Sequence, residues 1–197
     1  MQVKDKLLKK TSKIFLLIIL FANESVIANT TKLKLLDYNN SLKNSSALFT
    51  QTDGNTIEEG IIYIGSDRVK IDYKKPKKIT IILTEKKGMY VNHELKETQF
   101  FDTHKSFVNI FFKILTGKDF YKNSQLDITD HSITIGDNFE INKKFYKTKI
   151  VYENKPIKLR KIKVNENGGG FEIGFYNHNN LEDTKKNFYS LINPYPN

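Results

Sequence analysis

Apolar residues recur at every second position over long parts of this chain, and that period decides most of what it can fold into. Val69, Ile71 and Tyr73 alternate with Arg68, Lys70 and Asp72. Ile133 and Ile135 alternate with Ser132, Thr134 and Gly136, and Phe171, Ile173 and Phe175 with Glu172, Gly174 and Tyr176. Neighbouring side chains on a strand point to opposite faces, so the pattern writes strands with one dry and one wet face, the signature of an antiparallel sheet. Turn residues punctuate the runs: Asp53-Gly54-Asn55, Lys86-Lys87-Gly88 and Asn165 to Gly170 separate neighbours as hairpin connections do. Nine to eleven strands are expected. Near Arg160-Lys161 the inward set shifts from Ile157 and Leu159 to Ile162 and Val164. One extra residue there, a β-bulge, restores the alternation.

Two stretches follow a helical period instead. Thr30 or Thr31 is placed to cap a short helix over Lys32–Lys43, with Leu33, Leu36 and Leu42 roughly on one stripe. Phe107, Ile110, Phe111, Ile114 and Leu115 form a second stripe, opposite Asn109, Lys113 and Thr116, and Gly117 ends the run. This helix either caps an ordinary core or forms a lid over an apolar cavity. There is no internal repeat and no linker.

Residues 1–28 read as an address. Five lysines open the chain, Ile14 to Ala22 is an unbroken apolar run, and Val26-Ile27-Ala28 offers a cleavage site. This is the three-part pattern of a secretory signal peptide. Nine helical residues span only about 13–14 Å, short of a hydrocarbon core of roughly 30 Å. Cleavage leaves one domain, residues 29–197, with 27 basic and 20 acidic residues, or +7. The chain has no Cys, so disulfides, thiolate chemistry and a lipid-modified N-terminal Cys are excluded, and an exported chain must rely on its packed core.

No catalytic constellation stands out. His93, His104, His131 and His178 are scattered, with none at metal-helix spacing. Glu58-Glu59 and Glu182-Asp183 are adjacent pairs, and neighbours on a strand cannot enter one site. The expectation is a non-enzyme without cofactor or metal. Lysine runs, Lys74-Lys75-Pro76-Lys77-Lys78 above all, sit near aromatics, but only Arg68 and Arg160 are Arg and export argues against a nucleic-acid partner. The basic surface is better suited to anionic lipid headgroups or acidic proteins.

Ser46 to Gly54 reads "A-x-F-x-Q … G", and Glu59-Gly60-Ile61-Ile62-Tyr63-Ile64 is a Gly-led strand. In this order they resemble the opening of the periplasmic outer-membrane lipoprotein carriers of the LolA type. Arg68 to Pro76 resembles "R-x-R-φ-x-Y-x-x-P", Gly88 to Asn92 with Gln99-Phe100 the following hairpin, and Pro156-Ile157-Lys158-Leu159 with Asn165 to Gly168 a late hairpin. The resemblance runs from about Lys32 to Pro196. One departure is plain. Where the family has Arg-Pro, its Arg credited with fastening the lid, this chain has Gly65-Ser66-Asp67.

The resemblance implies a mainly β fold with some α: a strongly curved antiparallel sheet, an open half-barrel, with helices as a lid over an apolar cavity. It implies a monomeric periplasmic carrier with three partners: acylated lipoproteins, an ATP-driven exporter of the inner membrane, and an acceptor at the outer membrane. The lining expected from the sheet is Phe49, Ile62, Ile64, Val69, Ile71, Tyr73, Ile81, Leu83, Met89 and Val91. From the helices it is Leu33, Leu36, Phe107, Ile110, Phe111 and Ile114. Ile82 is apolar on the other face of its strand, a sign of burial on both sides. The alternative is a lipid-sensing or protein-interaction module on the same half-barrel, with a filled interior rather than a hollow of several hundred Å3.

Overall fold

Alternation in the sequence becomes a single antiparallel sheet. The structure, a computed structural model, describes residues 29–106, 108–116, 124–166, 169–181 and 187–196. The export segment 1–28, Phe107, Gly117, Asn167-Gly168 and Glu182-Asp183 lie outside the described residues. The chain divides into two units, Met1–Leu36 and Asp37–Asn197. The described part of the first is helical from residue 29. The second contains the sheet and everything that follows.

Eleven strands are described: β1 (Ser45–Thr52), β2 (Ile57–Ile64), β3 (Val69–Lys75), β4 (Ile79–Leu83), β5 (Lys87–Asn92), β6 (Glu97–Asp102), β7 (Gln125–Ile128), β8 (Ser132–Ile141), β9 (Lys144–Asn154), β10 (Ile157–Glu166) and β11 (Gly169–Asn180). Their order is β6-β5-β4-β3-β2-β1-β11-β10-β9-β8-β7. All neighbours are hairpin-linked except β1 and β11, which join the two halves antiparallel. The sheet is not closed; β6 and β7 are its edges.

Register puts one apolar row after another on the same face. Gln51 lies opposite Ile173, then come Ile162, Ile150 and Ile135 across four strands. Ile81 faces Ile71, and Ile71 faces Ile62. The expected bulge is present: Leu159 pairs with Tyr152 and Lys161 with Val151, leaving Arg160 as the extra residue. A second irregularity, between Ser46 and Leu48 on β1, falls at Asn177 of β11, whose φ is +50°. Bulges of this kind bend strands and increase twist.

Two α-helices are described. Helix α1 covers residues 29–41, so it already runs at residue 29 and neither Thr30 nor Thr31 caps it. Its buried positions are Leu35 and Asn39, followed by Leu42 just beyond; Leu33 and Leu36 are 63% and 37% exposed. Tyr38 anchors its last turn: the hydroxyl accepts the Leu159 N–H at 2.8 Å, and the ring meets Tyr152 edge-on at 5.9 Å. Helix α2 (Val108–Thr116) follows a 3-10 turn, Thr103–Lys105. Asn109, Phe112 and Thr116 are buried together with Ile110, Phe111, Ile114 and Leu115, so α2 is enclosed on most sides, with Lys113 exposed. A helix apolar nearly all round belongs inside a core.

Candidate functional site

Strand period, helix period and two glycines together build an apolar hollow. From β3 and β4 come Ile71, Tyr73, Ile81 and Leu83, alternate residues on one face. Phe101 of β6 and Val108 and Phe111 of α2 close one side; Gln51 of β1 and Phe171 and Ile173 of β11 close the other. The hollow measures about 100 Å3, within about 480 Å3 of enclosed and open space together. A gap of about 10 Å3 continues it down to Phe49, Ile62 and Phe175. On the far side of Phe171 lies an open depression of about 310 Å3, reaching Asp53, Tyr146 and Glu166.

One polar chain edges this space. The Tyr73 hydroxyl donates to Gln51 Oε1 at 3.1 Å, and Gln51 Nε2 donates to Glu58 Oε2 at 2.9 Å. Burial, with some repulsion from Glu58, keeps the Tyr73 hydroxyl protonated well above the ordinary tyrosine range. Burial also raises the Glu58 carboxyl, the Asp53 charge adds to that, and Lys77 opposes it. The chain fixes the Gln51 amide at the boundary between dry wall and water, where buried polar groups need partners. Among the described residues, no group of three or more His, Cys, Asp or Glu could hold a metal ion.

The expected lining divides into four groups. Ile71, Tyr73, Ile81, Leu83 and Phe111 border the hollow, and Phe49 and Ile62 its floor. Ile64, Val69 and Ile114 are buried but border none of these spaces, while Ile110 faces a separate open depression beside Phe139 and Ile141. Leu33 and Leu36 are exposed and border neither. Met89 and Val91 are corrections: both lie on the opposite face of the sheet, where they cluster with Ile82 under Leu191 and Tyr195. On β5 the residues on the hollow side are Gly88 and Tyr90, opposite Leu83 and Ile81.

Sequence reasoning missed Gln51, Phe101, Val108, Phe171, Ile173 and Phe175. The alternation of Phe171, Ile173 and Phe175 was a usable signal, since β11 pairs directly with β1. Arg68 also has a use in the structure: its Nη1 donates to the Tyr189 carbonyl at 2.9 Å. It therefore secures the C-terminal segment, residues 187–196, and no arginine borders the hollow.

No family model matches the chain. No curated protein matches it either. Among solved structures it is similar to an uncharacterized conserved protein from Thermus thermophilus, at 8% identity and a TM-score of 0.52, over 85% of this chain and 96% of that one. Two crystal forms of PNGF-II match at 7% identity with TM-scores of 0.38 and 0.36, over 75% and 73% of this chain and 29% of theirs; likeness at that level supports no inference. The first likeness concerns the fold alone: a mainly β protein on one large, open antiparallel sheet.

Proposed function

We propose that the protein carries the acyl chains of lipoproteins through the periplasm, from an ATP-driven exporter in the inner membrane to the outer membrane. It does so as a curved half-barrel in which helix α2 covers an apolar hollow. The observation that carries this reading is the wall of that hollow: among the described residues that line it, Gln51 is the one side chain that is neither aliphatic nor aromatic. With about 40 methylenes in all, at about 0.8 kcal/mol each, exposing a lipoprotein's acyl chains costs roughly 30 kcal/mol. A shuttle must offer a dry surface yet release its load, so loading work falls to the exporter.

Curvature is supported by the span of the walls. Phe101 is on the edge strand β6, and Ile173 is on β11, six strand intervals away. In a flat sheet those strands stand about 29 Å apart. Both border one space of about 480 Å3, open solvent included, and curvature that brings the two strands toward each other is the simplest way to join them there.

The hollow's size favours a second reading. At about 100 Å3 it is smaller than the roughly 300–1,000 Å3 of ordinary ligand pockets. A carrier must therefore open, by movement of α2 or of the Phe171 ring that parts the hollow from the depression of about 310 Å3. A lipid-sensing or interaction module could remain closed. Titration with dansyl-undecanoic acid separates the two. The wild type is expected to bind, and Ile71→Asp and Ile81→Asp to bind roughly tenfold more weakly or worse with unchanged circular dichroism. A wild type that ignores the probe and co-purifies with no acylated molecule by mass spectrometry sinks the carrier reading.

A further inference from the structure

Hairpins place their tips alternately at the two ends of the sheet, and the two ends differ in chemistry. One end carries the β1–β2, β3–β4, β5–β6 and β8–β9 tips. Three large apolar side chains stand in water there: Ile57, Leu95 and Phe145, at 65%, 64% and 62% exposed. On these tips and the adjoining strand ends are Lys74, Lys75, Lys77, Lys78, Lys96, Lys143 and Lys144, all exposed, against the exposed acids Asp53, Glu94, Glu97 and Glu140 and the half-buried Glu58, Glu59 and Glu166. Lys75 pairs with Glu59 and Lys144 with Glu166; the other five have no carboxylate within 4.0 Å among the described residues. The hairpin tips of the opposite end carry Asp67, Glu85, Lys86, Asp130 and Lys155, and among the described residues of those tips none is an exposed large hydrophobic.

Single exposed apolar residues are ordinary on any surface. Three on the hairpin tips of one end, with Leu95 next to Lys96 and Phe145 next to Lys143 and Lys144, are not an ordinary scatter. We infer that this end is a docking rim for an anionic phospholipid surface. Its lysines meet headgroup phosphates, and Leu95, Phe145 and Ile57 dip below them, the division of labour of interfacial membrane binders. Backbone geometry supports presentation: Asn142 and Lys143, both at positive φ, form a two-residue turn between Ile141 and Lys144. Such a tight turn holds Lys143 at the apex and Phe145 just behind it. Gln51, Tyr73 and Phe171 lie in the parts of β1, β3 and β11 nearest this end. The rim therefore brings a bilayer to the polar side of the hollow.

The chain has no Trp, so one introduced indole reports its own surroundings. Leu95→Trp, Phe145→Trp and, at the opposite end, His131→Trp are made in the full chain. Each is mixed with phosphatidylcholine vesicles containing about a third phosphatidylglycerol, at low salt and at about 1 M salt, where screening shortens to about 3 Å. The expected result is a blue shift for Leu95→Trp and Phe145→Trp at low salt, lost at high salt, with His131→Trp unchanged. Replacing Lys77, Lys78, Lys96 and Lys143 together by Gln is expected to weaken vesicle binding about tenfold or more. A shift at all three reporters, or at none, overturns the inference, because a chain held only by its N-terminal segment gives one of those. Retention on polyglutamate without vesicle binding assigns the lysines to an acidic protein and overturns it too. Vesicle docking and acyl-probe binding are read separately, so the rim and the carrier reading fail independently.

Discussion

Two glycines let aromatic rings lie flat along the wall of the hollow. A Cβ at Gly60 would stand 2.3 Å from the Asp72 carbonyl oxygen and 2.7 Å from the Phe49 ring. A Cβ at Gly88 would stand 2.2 Å from the tip of the Phe101 ring. In both cases a ring from one strand covers the bare backbone of its neighbour, which protects the hydrogen-bond ladder. The two sites differ in what can yield. At Gly60 the obstacle is backbone, and Phe49 is 2% exposed, so Gly60→Ala is expected to cost about 3 kcal/mol, the upper end of overpacking. At Gly88 the obstacle is the free end of a side chain, so Gly88→Ala is expected to cost about 1 kcal/mol. The displaced Phe101 ring then intrudes on the hollow and lowers acyl-probe affinity. Urea midpoints and probe titrations of both variants decide the matter; equal costs, or a Gly88→Ala protein with unaltered affinity, contradict this account.

Elements were legible where one face is polar. The alternation in β3 and β11 and the bulge at Arg160 could be read directly, because the positions opposite the apolar row are polar there, even at Lys70 and Asp72, which the C-terminal segment half covers. β5 was misread for a physical reason. Its Met89 and Val91 face away from the hollow, yet they are buried because the distant C-terminal segment covers them. A strand with both faces covered loses its alternation, and no local pattern restores it. The stripe on α1 holds at Leu42 and fails at Leu33 and Leu36, because the buried row runs through Leu35 and the polar Asn39 instead. Helix α2 hides a similar exception. Asn109 Oδ1 is buried without a hydrogen-bond partner among the described residues, a cost of about 1–3 kcal/mol. If α2 is the part that moves to enlarge the hollow, this cost is borne by the closed state. Asn109→Leu, of similar shape, is expected to stabilise the protein by about 1 kcal/mol and to slow acyl-probe uptake in stopped-flow mixing. Stabilisation with unchanged or faster uptake means that α2 is not the moving part.

At the scale of the molecule, the two faces of the sheet carry different duties. The hollow and α2 occupy one face; the segment 187–196 is strapped across the other, from β2 to β6. Phe188 meets Tyr63 edge-on at 4.9 Å with Lys70 Nζ 4.3 Å from its ring, and Thr98 donates to Asn193 at 2.6 Å. Thr80 spends its single proton on Asp72 at 2.6 Å, so His93 Nε2 donates to the Thr80 oxygen at 2.9 Å. In neutral His93 the other nitrogen, Nδ1, then accepts from the Tyr195 hydroxyl at 2.9 Å. An Asp, a Thr and a His in a row invite a catalytic reading, but this Thr gives its proton to the carboxylate and not to the imidazole, so it is not an activated nucleophile. The chain of bonds is a tether for the strap. Strap and hollow share strands β3 to β6 but no side-chain surface, since Ile82 points one way and Ile81 and Leu83 the other. The double substitution Leu191→Ala, Tyr195→Ala is therefore expected to lower stability by about 2–4 kcal/mol. Affinity for the acyl probe should stay within about twofold, since energies at well-separated sites are nearly additive. The outcome that breaks this division is a loss of acyl binding well below the unfolding midpoint, which would couple the two faces through the strands between them.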